Sequence, residues 1–194
     1  MKHSSIRGLF DYWNARRGER AAPERADIEP GAIRHVLADT FILAFDPHAG
    51  HPFRIAGTRV CALLGRELKG AVFLDLWTGK NRDLMRDLIG VVSHELIGAV
   101  AGAAGASVDG DTLDLELLIL PLSHLGRPNA RILGALTPTA VPSWLGTSAL
   151  GGLRLGTPRY LGPAVTPDFT PRLVPSLPNR RARHGLVVYD GGLA

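Results

Sequence analysis

The 194-residue sequence has a single cysteine, Cys61, so no disulfide can form within the chain. We therefore expect a reducing compartment, the cytoplasm. The most apolar run, residues 96–108, is broken by glycines and a serine, and it is shorter than the ~20 residues with which a helix spans a bilayer. The first residues lack the apolar stretch of a signal peptide. These absences predict a protein without a membrane anchor.

Acidic residues are scarce in the C-terminal part of the chain. Beyond residue 136 there are six arginines, two aspartates and no glutamate, so this part carries the whole net charge of +4. It also holds eight of the fourteen prolines, which remove backbone donors and fix φ. We predict an N-terminal helix and link over 1–28, a domain over 29–136, and a basic, Pro/Gly-rich tail over 137–194 that is partly ordered at best.

Apolar periodicity predicts a first helix over residues 4–17 that ends at Gly18. A short helix over 30–38 follows, and two strands over 40–45 and 51–57 are expected to form a hairpin. The apolar stripe of the first helix consists of Ile6, Leu9, Phe10 and Trp13.

The second half of the domain begins with the longest predicted helix, over 81–96. Three strands follow, over 99–108, 113–120 and 129–136, and Asp109-Gly110 between the first two is a strong hairpin signal. The predicted apolar face of the long helix consists of Leu84, Leu88, Val91 and Leu96.

Short sequence segments add to the evidence from the order of elements. The chain resembles the stand-alone bacterial PAS-like proteins that were long catalogued as a domain of unknown function. The segments that carry the resemblance are LFDYW at 9–13, RG at 17–18, RADI at 25–28, FRIAGT at 53–58, GRELKG at 65–70, LLILPL at 117–122 and RILGAL at 131–136.

The resemblance implies an α+β fold with a five-stranded antiparallel sheet, helices on one face, an extra N-terminal helix and an irregular C-terminal tail. It also implies a sensory or interaction domain rather than an enzyme, often with a small cavity between helices and sheet. No single cofactor belongs to such proteins, so the resemblance leaves the ligand open.

We predict that this cavity is lined by apolar residues of the first hairpin, the long helix and the three-strand meander. The same residues could equally form a fully packed core without a ligand. The candidates are Phe41, Leu43, Phe53, Ile55, Leu84, Leu88, Val91, Val92, Leu115, Leu117, Ile132 and Gly134.

Two single residues raise the possibility of a bound cofactor. His94 near the end of the long helix could ligate haem if it points into the cavity, but a helix-end histidine at the C-terminal dipole is the simpler interpretation. Cys61 lies where flavin photosensors carry a reactive cysteine, yet its neighbours do not match their motif. We expect Cys61 to pack as a small hydrophobe.

The sequence offers no catalytic or metal-binding set. Ser93, His94 and Glu95 are consecutive on a helix and point in different directions, while Gly98 stands where a zinc-protease helix needs its second histidine. His48 and His51 flank a turn without further ligands. We therefore expect a non-catalytic protein that binds no metal.

Several partners follow from this interpretation. We expect signalling proteins such as kinases or response regulators, a small-molecule ligand or none, and a homodimer formed through the N-terminal helix. The arginine cluster at 179–184 favours a solvated tail over nucleic-acid binding, and the β-prone run 186–189 could add to a sheet edge. A ligand sensor and a pure interaction module remain equally open.

Overall fold

The computed structural model describes residues 1–162. Within them the chain forms three α-helices and six strands. These are α1 (Ser4–Arg17), β1 (Thr40–Ala44), β2 (Phe53–Ala56), α2 (Thr58–Leu63), α3 (Lys80–Glu95), β3 (Gly98–Ala106), β4 (Thr112–His124), β5 (Arg127–Pro138) and β6 (Arg154–Leu161). Short 3-10 helices lie at Arg25–Asp27, Pro30–Ile33, Leu37–Asp39 and Phe73–Leu76.

The six strands form one antiparallel sheet in the order β2-β1-β5-β4-β3-β6. Ser107 N–H donates to the Asp111 carbonyl at 2.8 Å and so closes the predicted turn between β3 and β4. Leu125 and Gly126, both at positive φ, join β4 to β5. The five predicted strands are all present, and β6 adds a sixth.

One face of the sheet, here called the inner face, packs against α2, the 3-10 helix at 73–76 and α3. Its strand residues include Phe41, Leu43, Leu115, Leu117 and Ile132. They alternate along each strand with residues of the opposite face, as the pleat requires. This layer is the larger of the two hydrophobic clusters and is called the inner cluster. The smaller one, on the opposite face, is called the outer cluster.

Helix α3 is turned differently on the sheet from the prediction. Leu84 and Val91 are 53% and 36% exposed and lie about a quarter turn from the buried side. The sequence carries two overlapping apolar stripes on this helix, and the stripe with the full i, i+3, i+4, i+7 spacing is the one that packs. Its members are Met85, Leu88, Ile89 and Val92.

The opposite face, here called the outer face, is covered by α1 and by residues 25–39, so helices lie on both sides of the sheet. Ile6, Leu9 and Trp13 are buried against this face, and Trp13 Nε1 donates to the Pro121 carbonyl at 2.9 Å. The apolar stripe of α1 is therefore covered within its own chain. The homodimer expected through the N-terminal helix would therefore have to use residues of α1 other than Ile6, Leu9 and Trp13.

The ordered chain also continues beyond the predicted boundary at residue 136. Leu150 and Leu153 are buried in the inner cluster, and β6 pairs with β3. β6 contains Pro158, and it lies at the edge of the sheet, where a missing N–H is tolerated. The predictions on 179–184 and 186–189 lie outside the described residues.

Glycine 134 should be essential to the inner layer. A Cβ at this position would lie 2.2 Å from the Phe41 ring and 2.8 Å from the Leu118 carbonyl oxygen. We expect Gly134→Ala to lower the free energy of unfolding by about 2 kcal/mol, because either the ring or the strand must move. Chemical denaturation measures this loss.

The control is Gly102→Ala on β3, where a Cβ meets nothing within 4 Å. This variant should stay within about 0.5 kcal/mol of the wild type. Equal destabilisation by both substitutions would contradict the close packing of Phe41 on β5.

Candidate functional site

The predicted cavity is occupied by a packed aromatic cluster. The ring centroids of Phe41, Phe53 and Phe73 lie 5.4–5.6 Å from one another, and Trp77 lies 5.9 Å from Phe73. Such rings fill the space between α3 and the sheet with apolar contact. Eight of the twelve predicted cavity residues belong to this buried inner cluster: Phe41, Leu43, Phe53, Leu88, Val92, Leu115, Leu117 and Ile132.

The other four candidates do not face an inner cavity. Leu84 and Val91 lie on the exposed side of α3, and Gly134 is covered by the Phe41 ring. Ile55 is 49% exposed because the register of β1 and β2 shifts at Arg54. Strict alternation would have placed it beside Phe53.

The shift at Arg54 is a β-bulge, and it decides which face Ile55 occupies. Leu43 pairs with Phe53, whereas its neighbour Ile42 pairs with Ile55. Since Leu43 and Ile42 belong to the inner and outer clusters respectively, Phe53 and Ile55 lie on opposite faces. One extra residue in the strand causes this change.

The two cofactor candidates also occupy surface or packing positions. His94 is exposed, with Nδ1 2.7 Å from the Gly90 carbonyl oxygen and its ring edge-on to Phe45. It does not point into the inner layer, so the haem-ligand geometry considered for it is wrong. Cys61 is half-buried against the inner cluster, and burial raises the pKa of its thiol.

An opening with a mainly apolar lining lies on the other side of the sheet. A groove of about 490 Å³ runs between residues 25–38 and the outer surfaces of β1, β2 and β5. We call it the outer groove. It is lined by Arg25, Ile28, Pro30, Ile33, Arg34, Leu37, Ala38, Thr40, Phe41, Ile42, Ile55, Ala56, Gly57, Thr58 and Leu133.

One end of the outer groove is held by a close backbone contact. A Cβ at Gly57 would lie 2.2 Å from the Leu37 carbonyl oxygen, and Gly57 N–H donates to the Thr40 carbonyl at 2.8 Å. Beside it, the buried Asp39 carboxylate accepts two bonds from Arg59, at 2.6 and 2.7 Å. This bidentate pair raises the pKa of Arg59 and joins the groove wall to α2.

Basic side chains line the groove, whereas the carboxylates near it are paired with other arginines. Asp27 binds Arg20 at 2.8 Å, and Glu29 binds Arg16 at 3.1 Å, so both carboxylates are directed toward α1 and its C-terminal extension. Arg34 lines the groove, as does Arg25. Among the described residues, neither arginine has a carboxylate within 4 Å, and no lining residue is acidic.

Sequence reasoning missed this groove because its wall was interpreted as a link and a short helix. Ile28 and Ile33 are five residues apart and fit no single helical or strand period. They become neighbours only because two separate 3-10 turns fold over the outer face. The visible signal was the apolar character of Ile42, Leu133 and Ile28 on elements already assigned to the domain.

A second concave surface of similar volume lies over β3, β4 and β6. Its lining mixes Lys2 and Arg154 with Asp114 and Glu116. The Glu116 carboxylate already accepts bonds from the backbone N–H groups of Lys2 and His3, at 2.7–2.9 Å. This carboxylate fastens the chain before α1 and is not available to a ligand.

His51 is a buried polar residue beside the inner cluster. It is 1% exposed, adopts a φ of 60° and stacks on Phe45 with ring centroids 5.3 Å apart. Its Nδ1 accepts the Asp46 backbone N–H at 3.2 Å. Burial lowers the pKa of His51 below its usual 6.5; the charge of Asp46 opposes this shift, and that of Arg86 adds to it.

This environment predicts a loss of stability in acid. The unfolded chain binds a proton at His51 that the folded protein excludes, so the His51 contribution is complete above about pH 6.5 and falls as the pH decreases. His51→Asn keeps an acceptor and tolerates positive φ. The difference in unfolding free energy between wild type and this variant should shrink between about pH 8 and pH 5.

The matched control is His48→Asn in the exposed turn three residues earlier. Its difference from the wild type should not vary over the same pH range. A His51→Asn difference that is equally independent of pH would show that His51 titrates normally in the folded protein.

Comparison with known proteins gives one family and several distant structures. A family model described as a PAS domain matches residues 1–137, and no curated protein matches. A light-oxygen-voltage domain studied with a flavin analogue aligns with a TM-score of 0.44 and 16% identity, over 57% of this chain and 83% of that chain. A variant of RsLOV aligns with a TM-score of 0.42 and 13% identity, over 55% of this chain and 63% of that chain.

Residues 1–162 contain no cluster of three or more His, Cys, Asp or Glu side chains that could hold a metal ion. No helix in this part is long and apolar enough to cross a membrane.

Proposed function

Because the chain belongs to the PAS domain family, we propose that it is a sensory or regulatory protein that acts without catalysis and binds its ligand in the outer groove. The observation that carries this proposal is the difference in packing between the two faces of the sheet. The inner face is a packed core, whereas the outer face keeps an apolar opening of about 490 Å³.

The aromatic cluster supports the outer location. Phe41, Phe53 and Phe73 pack with their centroids within 5.6 Å of one another, and well-packed interiors resist insertion of new groups. A ligand on the inner face would have to displace these rings. A ligand in the outer groove would need to displace only water.

The groove is also well placed to pass on a signal. Its floor includes Ile42 and Leu133, whose chain neighbours Phe41 and Ile132 belong to the inner cluster. Its wall is joined through Asp39 and Arg59 to α2. Occupation of the groove can therefore shift elements on both faces, and we propose that signalling proteins such as kinases or response regulators respond to that shift.

A second candidate is a pure interaction module, in which an apolar segment of a partner protein enters the groove instead of a small molecule. The half-exposed Ile55 on the edge strand β2 favours this alternative, because exposed apolar side chains beside a concave surface are common at interfaces.

A neutral dye separates the outer groove from the rest of the surface. Nile red should bind the wild type, and Ile55→Glu should weaken it about fivefold or more, since the change replaces apolar contact at the mouth of the groove with a charge. Fluorescence titration measures both affinities, and circular dichroism checks that the variant is folded.

Leu84→Glu is the matched control, because Leu84 is equally exposed but lies on α3, away from the groove. It should bind Nile red like the wild type. If both variants bind the dye equally well, or if the wild type does not bind it, the outer groove is not the binding site.

A further inference from the structure

We infer that the ligand of the outer groove is an amphipathic monocarboxylate of medium chain length, with its tail along the groove and its carboxylate between Arg25 and Arg34. This inference rests on the proposed function, which makes the groove the binding site. It adds the chemical class of the ligand. The two halves of such a molecule match two separate properties of the lining.

The first property is an apolar floor and wall. Ile42 and Leu133 lie on the floor, Ile28 and Ile33 form the wall, and Ile55 stands at the mouth. None of these side chains has a hydrogen-bonding group, so they favour a hydrocarbon tail. The volume of about 490 Å³ lies within the ~300–1,000 Å³ of small-molecule sites.

The second property is uncompensated positive charge. Arg25 and Arg34 line the groove, and within residues 1–162 neither has a carboxylate partner. The Asp27 and Glu29 carboxylates, which could have neutralised them, bind Arg20 and Arg16 instead. Guanidinium groups pair with carboxylates through short, charge-assisted hydrogen bonds.

Two further arginines, Arg54 and Arg131, lie on the strands that form the groove but outside its lining. Arg131 lies on the same face of β5 as Leu133, two positions before it in the sequence. Burial, together with the nearby charge of Arg54, lowers the pKa of Arg131. Positive charge on these strands favours an anionic head group over a neutral or cationic one.

Isothermal titration calorimetry of the full chain with decanoate and with 1-decanol tests the inference. The two ligands share a tail and differ in the head group. Decanoate should bind at least tenfold more tightly than 1-decanol, and the double variant R25Q/R34Q should weaken decanoate about tenfold, because it removes charge-assisted bonds.

The control R66Q/R127Q removes the same amount of charge at two exposed arginines outside the groove. It should leave decanoate binding unchanged. Higher salt should weaken decanoate binding to the wild type more than to R25Q/R34Q, since the pairing is partly exposed.

Equal affinity for decanoate and 1-decanol would overturn the inference, as would equal losses in R25Q/R34Q and R66Q/R127Q. Either result could occur while Ile55→Glu still weakens Nile red binding as expected, and then the outer groove would stand as the binding site with a different ligand class. If the wild type binds neither decanoate nor Nile red, the proposed function itself is rejected.

Discussion

The close packing of Phe41 against β5 is the contact on which the two faces of the molecule depend. Its ring lies in the space that a side chain at residue 134 would need and is in contact with the rings of Phe53 and Phe73. This arrangement brings β1 close to β5 and fills the centre of the inner layer. Side chains of the protein itself occupy the space between α3 and the sheet.

The inner face is filled by side chains, and an apolar groove lies on the outer face. Residues 25–39 do not form a continuous helix; they fold into short 3-10 turns and leave a groove over β1 and β5. Ion pairs with α1 and its C-terminal extension withdraw Asp27 and Glu29 from it. The result is an apolar surface bordered by positive charge, in a position where an occupant contacts the same strands that support the core.

Much of the fold could be predicted from local signals. Helix α1 matches its predicted bounds, since its apolar stripe and Gly18 act locally, and the prediction that the first five strands form an antiparallel sheet is confirmed. The site could not be predicted in the same way. The face of Ile55 depends on a bulge at Arg54, the turn of α3 depends on which of two stripes packs, and β6 depends on edge pairing despite Pro158. Each of these is decided by tertiary contact.

The claim that binding takes place on the outer face can be tested by NMR with isoleucine-methyl labelling and bound Nile red. Isoleucines mark both layers: Ile28, Ile33, Ile42 and Ile55 line the outer groove, whereas Ile89, Ile119 and Ile132 lie in the inner cluster. Binding in the outer groove predicts intermolecular NOEs from the dye to the first set. NOEs confined to the second set would place the binding site in the inner layer and contradict it.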